Sequence, residues 1–150
     1  MKKGFTIIEL IIVLTVLIIL IGIIVPRIGG MQQQGNMVKV KSELQTLQSA
    51  IESYYANETS NPKLYPVTSA TPCADYFIGA TPGIIGSVIY DAFNPPAEYK
   101  LFTSSNGLWY AFASVGVGGT SFGTASINDS GLFSRGTGTS IICVTNGTGC

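Results

Sequence analysis

Histidine is absent from the 150 residues of this chain, and charged residues make up only 11% of it. Without histidine, a site would lack the commonest general base and the commonest metal ligand. The eight Lys and Arg residues equal the eight Asp and Glu residues in number, so no basic excess indicates nucleic-acid binding. No nucleophile motif stands out either. We therefore expect that the protein is not an enzyme and has no cofactor.

Cysteine is also scarce. Cys73, Cys143 and Cys150 are the three cysteines of the chain, and they all follow its apolar N-terminal segment. They form no C-x-x-C motif, and with no histidine available we predict no metal site. Three cysteines allow three different single disulfides, and the residues alone leave all three open.

One long hydrophobic run is present near the N-terminus, which reads MKKGFTIIELIIVLTVLIILIGIIVP. Residues 5–25 include nine Ile, four Leu and three Val. A bilayer is spanned by roughly 20 residues, so this run is long enough. The apolar side chains favour insertion by on the order of 7 kcal/mol, whereas Glu9 opposes it by at most about 3 kcal/mol. We predict a membrane-spanning helix that contains a carboxylate.

The flanks of this run predict its orientation and argue against a cleaved secretory signal. Lys2 and Lys3 precede it, and such basic residues stay in the cytoplasm, so residues 27–150 should face the opposite, oxidising side. A secretory signal peptide would end in a small-residue cleavage site, but this run ends in Val-Pro-Arg and includes Glu9. A plain membrane anchor accounts for the hydropathy, but it leaves Glu9 unexplained.

A second helical pattern follows the apolar run. Apolar residues recur at steps of three and four over residues 37–55, which predicts an amphipathic helix whose stripe packs on a sheet. The stripe consists of Met37, Val40, Leu44, Leu47, Ile51 and Tyr54. The region where the two patterns meet contains residues that weaken a helix, which predicts a hinge there: Gly22, Pro26, Gly29, Gly30 and Gly35.

The remaining sequence predicts loops and then short strands. Residues 57–97 are rich in Pro and Asn, with a short helix or strand expected within residues 84–93. Asn106-Gly107 separates two aromatic-rich runs at residues 98–103 and 108–115, which is a strong hairpin signal. A weaker hairpin is expected over residues 124–135, and a final strand over residues 140–145. These elements predict an α+β fold, in which a small antiparallel β-sheet packs on a long N-terminal α-helix.

Residues 2–10, KKGFTIIEL, closely resemble the class III signal of type IV pilins and of type II secretion pseudopilins. The resemblance is close over residues 1–30 and looser over the next 30. It implies that a prepilin peptidase cuts after Gly4, that the new N-terminal Phe5 is N-methylated, and that Glu9 is the assembly residue. Pro26 stands where the family has a helix-kinking proline.

The resemblance implies a pilin fold with five segments. These are a leader over residues 1–4, a transmembrane and assembly helix over 5–30 with a kink at Pro26, an amphipathic helix of the head over 31–57, an αβ-loop over 58–97, and an antiparallel β-sheet with a C-terminal cysteine loop over 98–150. The family's filaments often melt the helix after Pro26 on assembly, and we expect the same here.

The function implied by the resemblance is structural. The chain would polymerise with itself into a type IV pilus filament on the bacterial surface, and such filaments serve adhesion, motility or DNA uptake. The precursor would lie in the inner membrane, with lipid, the prepilin peptidase and N-methylase, and the inner-membrane assembly machinery as its partners. The alternative is a major pseudopilin of a type II secretion or competence system.

Two further expectations come from the family. A C-terminal disulfide loop is common in pilins, which places the Cys143–Cys150 pairing first and leaves Cys73 unpaired; pairings of Cys73 with Cys150 and then Cys143 follow. Major pseudopilins usually have an acidic calcium loop after the first hairpin. Residues 115–120, VGVGGT, contain no carboxylate at that place, so we expect a Gly-rich surface loop without calcium.

Overall fold

The computed structural model describes Gly4 and residues 6–66, 71–73, 77–79, 83–136 and 140–150; of residues 25–29 and 71 it describes the backbone alone. Contacts between residues divide the chain into two units, Met1–Gly35 and Asn36–Cys150. The first unit contains the apolar part of the N-terminal helix. The second contains the rest of that helix and the β-strands, and we call it the head.

The N-terminal helix, α1, comprises Ile7–Asn57, so both predicted helical patterns belong to one element. Its residues are helical throughout, including Pro26, Gly29 and Gly30. Proline is tolerated best in the first turn of a helix, but here the helix continues on both sides of Pro26. The kink at Pro26 and the melting of this stretch in a filament remain predictions.

The predicted apolar stripe of the head part of α1 is confirmed. Val40, Leu44, Leu47 and Ile51 are each at most 2% exposed. They pack against residues of the sheet, among them Leu101 and Phe112. Since residues three and four apart share one helix face, this stripe is the side of α1 that the head covers.

The main sheet has four antiparallel strands, which are adjacent in the order Thr71–Pro72, Lys100–Thr103, Tyr110–Ser114 and Ile142–Thr145. Its strands are β1 (Thr71–Pro72), β2 (Lys100–Thr103), β3 (Tyr110–Ser114) and β6 (Ile142–Thr145). The predicted first hairpin is confirmed, because β2 pairs with β3 and Thr103 stands opposite Tyr110. The predicted final strand is confirmed as well, since β6 pairs with β3 on its other side.

The second predicted hairpin is also present, as β4 (Ser126–Ile127) paired with β5 (Phe133–Ser134). It covers the face of the main sheet opposite α1. Side chains alternate between the two faces of β3: Tyr110 and Phe112 face the helix cluster, whereas Ala111 and Ala113 face the cluster around Phe133. The small alanines leave room for the hairpin, and β3 is therefore buried on both faces.

The loop region over residues 58–97 differs from its prediction in two respects. Thr71–Pro72 forms the edge strand β1, which the proline-rich sequence did not predict. The expected helix or strand within residues 84–93 is absent; Tyr90 makes a single bridge to Glu98, and the described residues there are otherwise irregular. The described segment nevertheless packs on the core through Ile84, Ile85 and Ile89. Their apolar side chains are therefore explained by burial and do not indicate a helix or a strand.

Together these elements establish an α+β protein with an apolar N-terminal helix and a small antiparallel β-sheet, which confirms the coarse fold prediction. The Gly-rich stretch after β3 is less exposed than expected. Val115 is only 2% exposed, and its main-chain N–H donates to the carboxylate of Asp91 at 2.9 Å. The exposed part of this stretch begins after Gly116.

Candidate processing and assembly segment

The start of α1 is organised by Thr6. Its hydroxyl oxygen accepts a hydrogen bond from the main-chain N–H of Glu9 at 3.3 Å, and its carbonyl accepts one from Leu10 at 3.3 Å. This is the geometry of an N-cap residue, which satisfies a donor that the first helical turn would leave unpaired. The order Thr-x-x-Glu also matches a capping box, so Thr6 fixes where the helix begins.

Glu9 therefore lies in the first turn of α1, and its side chain is exposed. A carboxylate at this end is favoured by the partial positive charge of the helix N-terminus. Among the residues with predicted roles in processing, Gly4 is described and exposed, whereas Lys2, Lys3 and Phe5 lie outside the described residues. The predicted pairing of Glu9 with the amine of Phe5 is an intersubunit contact and stays a prediction.

The window Ile7–Ile24 is long and apolar enough to cross a membrane, and none of it is buried within the chain. Its large side chains are exposed by between 47% at Leu17 and 81% at Ile7. The hydroxyl of Thr15 donates to the carbonyl of Ile11 at 2.8 Å, so this polar group is satisfied inside the helix. Such a helix suits an apolar environment, where unsatisfied polar groups are costly.

The cysteines take defined places in the head. The structure joins Cys143, in β6, to Cys150 at the C-terminus, with their Cα atoms 5.4 Å apart. Cys73 is free and buried, and its thiol donates to the carbonyl of Tyr99 at 3.1 Å. Burial raises the pKa of the Cys73 thiol well above its usual value. The two alternative pairings of Cys73 do not occur in this structure.

The C-terminal loop closed by this disulfide is also held by hydrogen bonds. The N–H of Phe133 donates to the carbonyl of Thr148 at 2.8 Å, and Thr148 donates to the carbonyl of Gly131 at 2.8 Å. The guanidinium of Arg135 donates to Cys150 at 2.7 Å. The last residues of the chain therefore lie against the β4–β5 hairpin.

Two carboxylates on the head part of α1 fasten it to the tyrosines of the head, and sequence reasoning missed them. The hydroxyl of Tyr99 donates to Glu43 at 2.5 Å, and the hydroxyl of Tyr110 donates to Glu52 at 2.9 Å. Tyr65 donates to both oxygens of Glu52 at 3.3 Å. Glu43 also lies 3.8 Å from the ammonium of Lys39. Glu43 is adjacent to Leu44 and Glu52 to Ile51 in the apolar stripe, and this position next to buried residues is the sequence feature that could have indicated their role.

These contacts change the acidity of the tyrosines. Burial, followed by the neighbouring Glu52, raises the pKa of Tyr65 to about 12. Burial is also the main cause that raises the pKa of Tyr99 and of Tyr110. A tyrosine hydroxyl that donates to a carboxylate is held in its neutral form, because an ionised phenolate there would meet a second negative charge.

Asp91 is another carboxylate that the sequence pattern did not single out. It is 1% exposed, and one oxygen accepts from the hydroxyl of Ser114 at 2.8 Å and from the N–H of Phe93 at 3.0 Å. The second oxygen accepts from Val115. With both oxygens satisfied by the surrounding loop and strand, Asp91 is a structural residue.

Asp129 lies in the turn between β4 and β5. Its carboxylate accepts from the hydroxyl of Ser105 and the N–H of Asn106, at 2.7 and 3.0 Å. The Ser105 hydroxyl, and then Asn106, lower the pKa of Asp129. Within the described ranges, no group of three or more His, Cys, Asp or Glu residues could hold a metal ion. Asp129 thus links the two hairpin turns.

No family model, no curated protein and no solved structure matches this chain.

Proposed function

We propose that this chain is a structural subunit that polymerises into a type IV pilus filament on the bacterial surface. The observation that carries the proposal is the N-terminal signature, Gly4 to Glu9, joined to an apolar helix of which no part is buried within the chain. Such a surface needs cover by lipid or by another protein. In this proposal lipid covers it before assembly, and the helices of neighbouring copies cover it in the filament.

Processing precedes assembly in this proposal. The precursor sits in the inner membrane with its N-terminus in the cytoplasm, where the prepilin peptidase cuts after Gly4 and the new amine of Phe5 is methylated. The exposure of Gly4, ahead of the Thr6 cap, supports access to this bond. The assembly machinery of the inner membrane then takes up the mature subunit, and no residue is given a catalytic role.

Glu9 and Phe5 act together in the filament. Cleavage gives Phe5 a free amine, which is cationic at neutral pH, and a carboxylate in an apolar environment needs a cationic partner. We assign the partner of Glu9 to the Phe5 amine of a neighbouring copy. Because a misplaced subunit would leave both charges unpaired in an apolar core, the pair selects one axial register.

The N-terminus of the assembled subunit tests the processing step. Mass spectrometry of filaments sheared from cells should show chains that begin at an N-methylated Phe5. Intact Met1 in assembled filaments would contradict both the cleavage and the family assignment.

The role of Glu9 is tested by comparing two single substitutions. Glu9→Ala should abolish or strongly reduce filament yield, while the protein is still cut after Gly4 and found in the membrane. Glu58→Ala removes one carboxylate from the loop after α1, outside the apolar segment, and should leave the yield unchanged. Normal filaments from Glu9→Ala would show that the carboxylate does not direct assembly.

The same cells separate the pilus from the pseudopilus. Long extracellular filaments composed of this chain support the proposal. If the chain forms only short fibres that span the periplasm and are needed for protein secretion or DNA uptake, it is a major pseudopilin instead.

A further inference from the structure

Three asparagines of the chain stand in the N-x-S/T pattern that N-glycosylating enzymes use: Asn57, Asn128 and Asn146. The pattern alone is short and matches often in a chain rich in Asn, Ser and Thr. Transfer of a glycan also requires that the amide nitrogen is accessible and that the segment can enter the enzyme. The three asparagines differ in the accessibility of the amide nitrogen and in how firmly the surrounding segment is held.

The side chain of Asn128 builds the β4–β5 turn. Its amide oxygen accepts from the hydroxyl and the N–H of Ser130, at 2.7 and 3.1 Å, and from the N–H of Leu132 at 2.9 Å. The required hydroxyl of Ser130 is thus already occupied by the asparagine itself. An enzyme could use this sequence only after breaking the three bonds that define the turn.

Asn146 is held still more firmly. Its amide oxygen accepts from the N–H of Tyr110 at 2.8 Å, and its amide nitrogen donates to the carbonyl of Leu108 at 3.2 Å. The next residue, Gly147, is so close to Gly131 that an added Cβ would lie 2.0 Å from the Gly131 carbonyl oxygen. The nitrogen that would carry a glycan is therefore already bonded to the carbonyl of Leu108.

Asn57 is the last residue of α1, and both Asn57 and Thr59 are exposed. In the part of the chain that the structure describes, no hydrogen bond involves the Asn57 side chain. After it, Glu58 bonds back to the carbonyl of Tyr55 at 3.3 Å and accepts from the N–H groups of Thr59 and Ser60. Helix ends open at little cost, so this segment can adopt the conformation of an enzyme-bound acceptor.

We propose that Asn57 is the acceptor of an N-linked glycan, transferred from a polyprenyl-diphosphate-linked oligosaccharide by an oligosaccharyltransferase. The amide nitrogen of Asn57 attacks the anomeric carbon of the first sugar and loses a proton. A carbon–nitrogen bond forms, the anomeric carbon–oxygen bond breaks, and the polyprenyl diphosphate leaves. This inference rests on the proposed function in one respect, because it requires the head to lie outside the cytoplasm.

Peptide mapping of the full-length protein, purified from the cells that make it, tests the proposal. Trypsin cuts after Lys41 and Lys63, so residues 42–63 form one peptide that contains Asn57 and neither of the other two sequences. The expected result is a mass increase of this peptide by one oligosaccharide. An amidase that releases N-linked glycans in heavy-oxygen water should remove the sugar and leave a labelled Asp at position 57.

Matched variants show whether the added mass depends on Asn57 and on the hydroxyl two residues later. Asn57→Gln and Thr59→Val should both remove the added mass, whereas Thr59→Ser keeps a hydroxyl and should retain it. Asn128→Gln should leave the glycan in place. Modification at Asn128 or Asn146 with a bare Asn57 would overturn the inference.

Protease treatment of cells with a permeabilised outer membrane separates this proposal from the one on which it rests. A head that is digested from outside while Asn57 carries no sugar overturns the glycosylation site and leaves the proposed filament function standing. A head that is protected within the cytoplasm overturns the proposed orientation and the glycosylation site together.

Discussion

At the scale of single residues, the head depends on a few polar contacts between α1 and the sheet. Glu43 and Glu52 each accept a hydrogen bond from a tyrosine that is otherwise buried among apolar side chains. Because one tyrosine hydroxyl can reach only a carboxylate at one height along the helix, these contacts fix the axial position of α1 against the strands. The apolar stripe accounts for most of the buried surface of α1 in the head, and the two carboxylates determine the axial position of α1 relative to the strands.

The contact between Tyr65 and Glu52 predicts a loss of stability at alkaline pH. The folded protein raises the pKa of Tyr65 from its ordinary value of 10.0 to about 12. The contribution of this group is therefore fully present below a pH of about 10 and is lost as the pH rises to about 12. The urea midpoint of the full chain in detergent, followed by the fluorescence of Trp109, should fall across this range.

Two phenylalanine variants test this assignment. Tyr65→Phe removes the titrating group, so its midpoint should fall less steeply over the same range, and at neutral pH it should lose about 0.5–1.5 kcal/mol of stability. Tyr90→Phe alters a tyrosine that is 49% exposed, and the pH dependence of its urea midpoint should match that of the unchanged protein. Identical alkaline profiles for Tyr65→Phe and the unchanged protein would rule out this origin of the pH dependence.

At the scale of elements, the C-terminal segment is tied to the head in two ways. The disulfide joins Cys143 to Cys150, and hydrogen bonds from Phe133 and Arg135 hold the loop between them. The hydrogen bonds are formed only in the folded protein, whereas the disulfide also restricts the unfolded chain. We therefore expect the loop to keep its place after reduction, in a less stable protein.

Replacing both cysteines of this pair by alanine should lower the free energy of unfolding by about 2.5 kcal/mol, since the closed loop is short. Reduction of the unchanged protein should have a similar effect. Urea unfolding with and without a reductant measures both, and Cys73→Ala should respond to the reductant as the unchanged protein does.

Thiol labelling distinguishes the three possible pairings directly. In the folded, unreduced protein the single free thiol should react slowly, because Cys73 is buried and its pKa is raised. After unfolding in urea without a reductant, the label should appear on Cys73. A label on Cys143 or Cys150 would show that one of the alternative disulfides forms in solution.

At the scale of the whole molecule, the chain has two units, a head with a buried core and an N-terminal unit that contains the exposed apolar window. The window Ile7–Ile24 has no buried part, whereas the head has its own core around Ile51 and Phe112. The two parts therefore suit different solvents. The head has a buried apolar core of its own, whereas the exposed apolar window of α1 is long enough to cross a membrane.

One charge in the middle of the apolar window should weaken the insertion of the protein in the membrane. Leu17→Arg places a cation near the centre of the span, where it costs roughly 3 kcal/mol on the insertion scale. The extractable fraction of the protein after alkaline carbonate treatment should rise. Val38→Arg introduces the same charge at an exposed site beyond the window and should leave the protein in the membrane fraction. Equal extraction of the two variants would contradict the assigned span.

Much of the fold followed from the sequence because its signals are local. The steps of three and four from Val40 to Ile51 predict the buried helix face, and Asn106-Gly107 predicts the first hairpin. The edge strand β1 did not follow, since two residues with a proline have no strand pattern of their own and become a strand only by pairing with β2. The burial of Ile84, Ile85 and Ile89 without a regular element could not be predicted either, because it depends on contacts with core residues that are distant in the sequence.

The candidate processing segment, Gly4 to Glu9, was identified from the sequence alone, because the resemblance that defines it lies in the order of its residues along the chain. The structure added Thr6 as the cap that starts α1, with Glu9 in the first turn of that helix. The pairing of Tyr99 with Glu43, and of Tyr110 with Glu52, could not be predicted, since these partners are 56 and 58 residues apart.

The sequence by itself determined the apolar helix, the amphipathic stripe, the hairpins and the N-terminal signature, because each is set by neighbours a few residues apart. Only the tertiary structure decided the rest. In the folded chain the carboxylate of Asp91 is buried, and Glu43 and Glu52 accept hydrogen bonds from tyrosines. Asn57 is exposed, whereas the side chains of Asn128 and Asn146 accept hydrogen bonds. These outcomes depend on which distant residues meet, and that is fixed only when the sheet closes over α1.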